Sequence, residues 1–328
     1  MQFTGHLSKN DPLYNYLVHD ILVQVGADGR NGIRVFNSRS SHAVYIYEDR
    51  TSNVKVVGKF FAAGKNDFEQ AKRKMYREFN NLNEIRSYLG KNHYVARPLG
   101  CNENLNCLLV TEFCYGEPLD TVILQSIYNR NEKYLLDKLS ALALFLATLH
   151  NRSAQPVMVD FQKICRYYNN IVSQLHNICD RCETEYLRNL GEKYRHDPVM
   201  YQDQEVLVHG DATPANFFFG QGLYVISFDL ERMSRSDRLF DTGRIAGELK
   251  HFFLFHTKNK YAAEPFIKHF IWEYSCHFPD REQAFRSITA RLPFYMGKTL
   301  LRIARNTYLN HQYRRQLIEE AKLTLKRS

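Results

Sequence analysis

The sequence predicts an α+β protein of two lobes, an N-terminal antiparallel sheet carrying one long helix and then a mostly helical C-terminal lobe. Three observations carry this. Apolar and polar residues alternate from His19 to Phe61, apolar residues recur at three- and four-residue steps between Asp67 and Leu89, and from Leu119 onward the pattern is predominantly helical. A chain of 328 residues also exceeds the ~250–300 at which a single core usually stops growing. The composition shift near Gly116 places the boundary, giving lobes of residues 1–115 and 116–328.

The elements follow in order. The runs DILVQVG, IRVFNS, AVYIYED and VKVVGKFF, punctuated by Gly and Asn, predict strands and an all-strand opening. Ala71, Met75, Phe79, Leu82, Ile85 and Leu89 predict one face of a helix stopped by Gly90. VARPLG and NCLLVTEFCYG predict two further short strands. Residues 134–150 predict a strongly apolar helix at the centre of the second lobe, and 160–196 a more polar helical stretch. Between Glu205 and Asp229 two short strands, VLVHG and LYVISFD, flank the turn-rich DATPAN and GQG, and polar loops held between rigid strands are where catalytic groups concentrate.

Composition narrows the functional classes. With 44% hydrophobic and 24% charged residues the chain is an ordinary globular protein rather than a disordered one. It has no apolar stretch of the ~20 residues that cross a bilayer, and its N-terminus lacks the layout of a signal peptide, so a cytoplasmic protein is expected. Seven scattered cysteines fit reduced thiols. A formal charge of +9 favours anionic ligands such as nucleotides, but the basic residues do not gather into one run, which argues against nucleic acid.

The most informative segment is Leu207-Val-His-Gly-Asp-Ala-Thr-Pro-Ala-Asn216, which sets Asp211 and Asn216 five residues apart in a loop, with Asp229 thirteen further on at the end of a strand. Phosphoryl transfer needs a carboxylate to orient and deprotonate an acceptor hydroxyl. It also needs hard oxygen ligands for Mg²⁺. An Asp, an amide oxygen and a second Asp supply that set.

HGDATPAN followed by ISFDLE resembles the catalytic and metal-binding loops of the aminoglycoside phosphotransferase and choline kinase group, relatives of the protein kinases. The resemblance, spanning roughly residues 35–255, implies a protein-kinase-like fold. In that fold Mg-ATP, or Mg-GTP, lies between the lobes and gives its γ-phosphoryl group to a small-molecule hydroxyl. It implies that Asp211 is the base in a loop braced by His209, and that Asn216 and Asp229 hold the metal with Glu231 as a second carboxylate. Lys59 and Glu78 resemble the phosphate-binding lysine and the helix glutamate that holds it. Glu112, Phe113 and Cys114 resemble the hinge whose backbone binds the adenine. Asp241 matches a helix-starting Asp that supports the catalytic loop and would cap its own helix. One departure is that the phosphate-covering loop is Asn37-Ser-Arg-Ser-Ser-His-Ala43 rather than glycine-rich, which leaves Ser40 and Ser41 as its candidate donors and disfavours a protein kinase.

Other readings stay open. The acceptor would be aminoglycoside-, choline- or sugar-like, with lipopolysaccharide, inositol-like and nucleoside acceptors as alternatives. Asp180, Glu183, Glu185 and Glu192, in the insertion between His150 and His209, would meet a cationic acceptor or simply face solvent. A catalytically inactive nucleotide-binding module is the competing class, which retention of Asp211, Asn216, Asp229 and Lys59 argues against. The pair Lys59 and Glu78 has a plain surface ion pair as its bland alternative. His176, Cys179 and Cys182 would share one side of a predicted helix, but no second ligand pair supports a metal site. The basic face near the C-terminus reads as a solvated one.

Overall fold

A computed structural model describes residues 1–38, 43–64 and 67–326, and Ser40 and Ser41 lie outside them. The chain divides into two compact units, the first formed by residues 1–87, 94–116 and 226–232 and the second by the remainder. The expected α+β architecture is observed, with an antiparallel sheet and one long helix in the first unit and a mainly helical second unit.

The first unit is built on strands β1 (Gln2–His6), β2 (Ile33–Asn37), β3 (Ala43–Asp49) and β4 (Lys55–Phe60), the short helix α1 (Pro12–Tyr16) and the long helix α2 (Phe68–Arg86). Strands β5 (His93–Val95), β6 (Pro98–Asn102) and β7 (Leu108–Glu112) follow. The sheet runs β1-β2-β3-β4-β7-β6, and β4 pairs antiparallel with β7, setting Lys59 opposite Leu109. Asp67 caps α2 by accepting from the Gln70 amide at 2.9 Å. The helix ends at Arg86 rather than at Leu89.

The opening is not all strand. The segment predicted as the strand DILVQVG forms a π-helical turn at Leu17–Ile21 and a 3₁₀ turn at Leu22–Val25. Leu17, Val18, Ile21 and Leu22 are buried while His19, Asp20 and Val23 are exposed, which is a helical stripe rather than an alternation. That stripe packs into one core with Val56, Leu99 and Leu108. A short apolar run is ambiguous between the two periods, and here the sheet's need for a covering layer decides it.

The second unit holds strand β8 (Glu117–Pro118) and helices α3 (Leu119–Asn129), α4 (Glu132–Arg152), α5 (Phe161–Ser173) and α6 (Arg181–Arg195). Short strands β9 (Val206–Val208), β10 (Phe217–Phe219), β11 (Val225–Ser227) and β12 (Ser234–Ser236) come next, with the end of β11 joining the first unit. Helices α7 (Leu239–Thr257), α8 (Glu264–Ser275), α9 (Arg281–Ala304) and α10 (His311–Lys326) complete it. Leu135, Leu139, Leu142, Phe145, Leu146 and Leu149 of α4 are fully buried, as its apolar pattern predicts. Helices α7 and α9 approach closely, because a Cβ on Gly243 would stand 2.3 Å from that of Tyr295.

Two surface expectations are corrected. His176 and Cys179 lie in the turn between α5 and α6 and only Cys182 is helical, so the three do not share one helix side. The C-terminal basic residues are not a solvated face either. Arg315 grips Glu183 with both terminal nitrogens at 2.6 and 2.7 Å, and Lys322 adds a third contact at 2.9 Å. Arg314 donates to the Ala304 carbonyl at 2.7 Å and to Asn177 at 2.8 Å. Glu183 is thereby committed to holding α10 on α6 and is not available to an acceptor.

Candidate active site

The first unit gathers four of the predicted residues. Lys59 reaches Glu78 Oε2 and Asp229 Oδ1 at 2.7 Å each, with Glu231 Oε2 at 3.8 Å. The lysine and Glu78 side chains are only 12% and 5% exposed, which excludes a plain surface ion pair. Glu78 sits in the buried stripe of α2 with Ala71, Met75, Leu82 and Ile85, a place a carboxylate occupies only when paired. Burial, with the charge of Asp229, pushes Glu78 up to about 7 against the opposing pull of Lys59. Burial would lower Lys59, but Glu78 and Asp229 outweigh it and hold the ammonium charged.

Asp229 adopts a left-handed backbone with φ 57°. Asp is among the few residues that tolerate this conformation, and such outliers cluster at functional sites. The next turn is anchored by Asn81 of α2, which donates to the Leu230 carbonyl at 2.7 Å. Glu78, Asp229 and Glu231 offer carboxylate oxygens that all lie within 4.8 Å of one another. These hard donors already surround one cation, the Lys59 ammonium, and their chemistry suits a divalent ion such as Mg²⁺.

The residues expected at the hinge also belong to the first unit. The Glu112 carboxylate accepts through Oε1 from both the Tyr94 hydroxyl and the Arg97 amide. Phe113 stacks edge-on to Tyr115 with centroids 4.8 Å apart. Burial pushes the Cys114 thiol up to about 12, which makes it an inert lining residue.

The second unit holds the loop of His209, Asp211 and Asn216. Asp241, fully buried, accepts from the His209 amide at 2.6 Å on one oxygen and from the Gly210 amide at 3.0 Å on the other. Its Oδ2 also meets His150 Nε2 at 3.3 Å. Burial would raise the Asp241 carboxyl, but these hydrogen bonds hold it low, while burial keeps His150 neutral. Asp241 therefore braces the loop and does not cap its own helix, where Arg238 stands at the N-cap. Gly210 has φ 80°, a turn that a side chain would strain. His209 is buried against Phe217 and accepts from the Asp211 amide through Nδ1 at 3.3 Å, a bracing position. Asn216 donates through Nδ2 to the Asp211 carbonyl at 2.8 Å and closes the loop.

Three residues that the sequence reading did not single out contact this loop or its immediate neighbours. Arg244 of α7 donates to Asp211 Oδ1 and, at 3.3 Å, to the Gly210 carbonyl. Arg302 of α9 lies 3.9 Å from Asp211 Oδ1 and donates to Glu248 at 3.0 Å. The available signal was DTGRIAGEL, where Arg244 and Glu248 flank the small and apolar run Ile245-Ala246-Gly247.

The family model described as the phosphotransferase enzyme family matches residues 32–259. The chain belongs to this family. The reading of the HGDATPAN loop as that of a phosphotransferase acting on small-molecule hydroxyls is consistent with membership. No curated protein matches the sequence.

Solved structures share the family fold at low identity. An ADP-bound aminoglycoside phosphotransferase, APH(2'')-Ib, has a TM-score of 0.57 at 14% identity, with 89% of this chain and 92% of that chain covered. The GDP complex of aminoglycoside 2'-phosphotransferase-IIIa gives 0.57 at 15%, covering 97% and 98%. An ethanolamine kinase of Plasmodium vivax gives 0.54 at 13%, covering 90% and 80%. These show the kinase-like fold of a family phosphotransferase. Among the described residues no helix is long and apolar enough to cross a membrane.

Proposed function

We propose that this phosphotransferase moves the γ-phosphoryl group of Mg-ATP or Mg-GTP onto a hydroxyl of a small molecule. The observation that carries the reading is Lys59 held at 2.7 Å by both Glu78 and Asp229. A buried lysine fixed by two carboxylates, with a third nearby, is a phosphate and metal site in waiting. On nucleotide binding Lys59 would address the phosphate oxygens, and Asp229 and Glu231, with Asn216 as a further oxygen donor, would hold Mg²⁺, which would neutralise the triphosphate.

Asp211 is the base. Its carboxylate, fixed by Arg244, would accept the hydroxyl proton as the acceptor oxygen bonds to the γ-phosphorus and the bond to the bridging oxygen breaks, leaving the nucleoside diphosphate. His209 and Asp241 keep the loop rigid for that step. The backbone at Glu112, Phe113 and Cys114 would receive the base. The relatives contain ADP in one case and GDP in another, which supports a purine nucleotide without choosing between them. A cytoplasmic location fits a nucleotide-dependent enzyme whose seven cysteines are free thiols.

The test is thermal stabilisation by ATP and GTP, each with and without Mg²⁺, on the wild type and on Asp229→Ala. A magnesium-dependent shift that Asp229→Ala diminishes is the expected result. No shift with either nucleotide would remove the nucleotide site and with it the proposed reaction, and a shift without nucleoside diphosphate release in the presence of acceptors would favour the inactive nucleotide-binding module.

A further inference from the structure

The surroundings of Asp211 are strongly basic, and this bears on what the acceptor carries. Arg244 and Lys298 are 1% and 2% exposed in their whole residue, and both lie on the helices that frame the loop. Lys298 Nζ, Arg244 Nε and Arg302 Nε are buried and have no hydrogen-bond partner among the described residues. Lys298 Nζ rests 3.8 Å from the centre of the Phe240 ring, and burial, with the charge of Arg244 beside it, pulls the amine well below its ordinary value, so that it carries a full charge only when an anion joins it. Against these three bases stand Asp211 itself and Glu248, which Arg302 occupies at 3.0 Å. The other nearby carboxylates are already committed. Asp241 binds the loop amides, and Asp237 takes Arg291 at 2.9 Å and the Tyr295 hydroxyl at 2.8 Å.

Buried cations with unused donors are costly, and the cost is offset when an anion completes them. Of the three, Arg302 keeps an edge in solvent, with a side chain 15% exposed beside an Asp211 side chain that is 18% exposed. We infer that the acceptor is an alcohol bearing a phosphate or carboxylate group, and that Arg302 binds this group with Arg244 and Lys298 behind it. The inference deepens the proposed function, on whose assignment of Asp211 it rests. It replaces a cationic acceptor by an anionic one, consistent with the engagement of Glu183 by Arg315 and Lys322. A guanidinium is suited to either group because its paired N–H donors match the oxygens of phosphate and carboxylate.

The test is equilibrium binding by calorimetry to the nucleotide-free protein, so that it is separable from the nucleotide reading, which the thermal shift with Mg-nucleotide checks. The probes are matched sets differing in one group: glucose 6-phosphate, glucose and glucosamine, then glycerol 3-phosphate, glycerate, glycerol and serinol. In at least one set an anionic member binds roughly 10–100-fold tighter than its neutral and amine-bearing partners. The double variant Glu248→Gln with Arg302→Gln, which removes that ion pair as a unit, abolishes the preference, and the single variant Arg302→Lys keeps part of it. Tighter binding of glucosamine or serinol overturns the inference. So does equal or absent binding across every set, or a preference that the double variant leaves intact. Inorganic phosphate as a competitor separates the two anions: it displaces a phosphate-bearing ligand if the phosphate is what Arg302 holds.

Discussion

Lys59 and Asp229, 170 residues apart in the chain, meet at 2.7 Å. The contact ties β4, a central strand of the first sheet, to the turn that follows β11. Among the neighbours of Asp229 are a lysine that fixes it and two carboxylates, Glu78 and Glu231, that add charge to it. Replacing it with Ala should leave Lys59 on Glu78 and the fold intact. Magnesium-dependent thermal stabilisation by nucleotide should fall to a small fraction of wild type, whereas magnesium-independent stabilisation should change less. Equal stabilisation in the variant would remove Asp229 from the metal site.

Asp211→Ala should lower turnover by roughly 10²–10⁴-fold, the range for losing a positioned base, with nucleotide affinity nearly unchanged. The measurement is steady-state nucleoside diphosphate release beside a nucleotide titration. Wild-type turnover would mean that another group takes the proton. Because Arg244 then faces no carboxylate, Asp211→Asn is the better-behaved companion.

Asp241 offers a stability test. Its removal leaves the buried amides of His209 and Gly210 and Nε2 of His150 without a partner, while His150 Nδ1 keeps the Tyr274 hydroxyl, and each such orphan costs ~1–3 kcal/mol. Because the variant also relieves the cost of burying the Asp241 carboxylate, Asp241→Ala should lower unfolding free energy by ~3–5 kcal/mol in urea titration, toward the low end of that sum, and should slow turnover through a loosened loop. A variant as stable as wild type would show that the loop holds itself.

The clamp of α10 on α6 predicts an acid dependence. Hydrogen bonds from Arg315, with further ones from Lys322, hold Glu183 down at about 2 from an ordinary 4.5. A lowered carboxyl contributes stability that is present above its unfolded value and lost as pH falls through the folded one. The contribution, ~1 kcal/mol once solvent screening is allowed for, should fade between pH 4.5 and 2. Glu183→Gln should be less stable than wild type at pH 7, and the difference should close toward pH 2. A difference that does not vary with pH would place the effect in packing.

Much of this was legible in one dimension. The helix over Phe68–Arg86 followed from its apolar stripe, and the chemistry proposed for Asp211, Asn216 and Asp229 rests on residue types at short spacing within a turn-rich segment. Lys59, Glu78 and Glu231 were named by order along the chain, and the structure sets all three beside Asp229. The segment Asp20–Gly26 was misread because the three-residue apolar run Ile21-Leu22-Val23 has no period of its own and takes the one that its layer requires.

The sequence by itself determined the local elements and the order of the polar residues, because periodicity and turn chemistry are short-range properties that each segment carries alone. Only the tertiary structure decided which charges face one another. Arg244 and Arg302 belong to helices brought together through Gly243, and nothing in either helix alone says that Asp211 lies at their junction. Glu183 likewise changes from an exposed acid to a clamp once α10 lies across α6. Pairing energies depend on distance and burial, and both are set by packing between segments far apart in the chain.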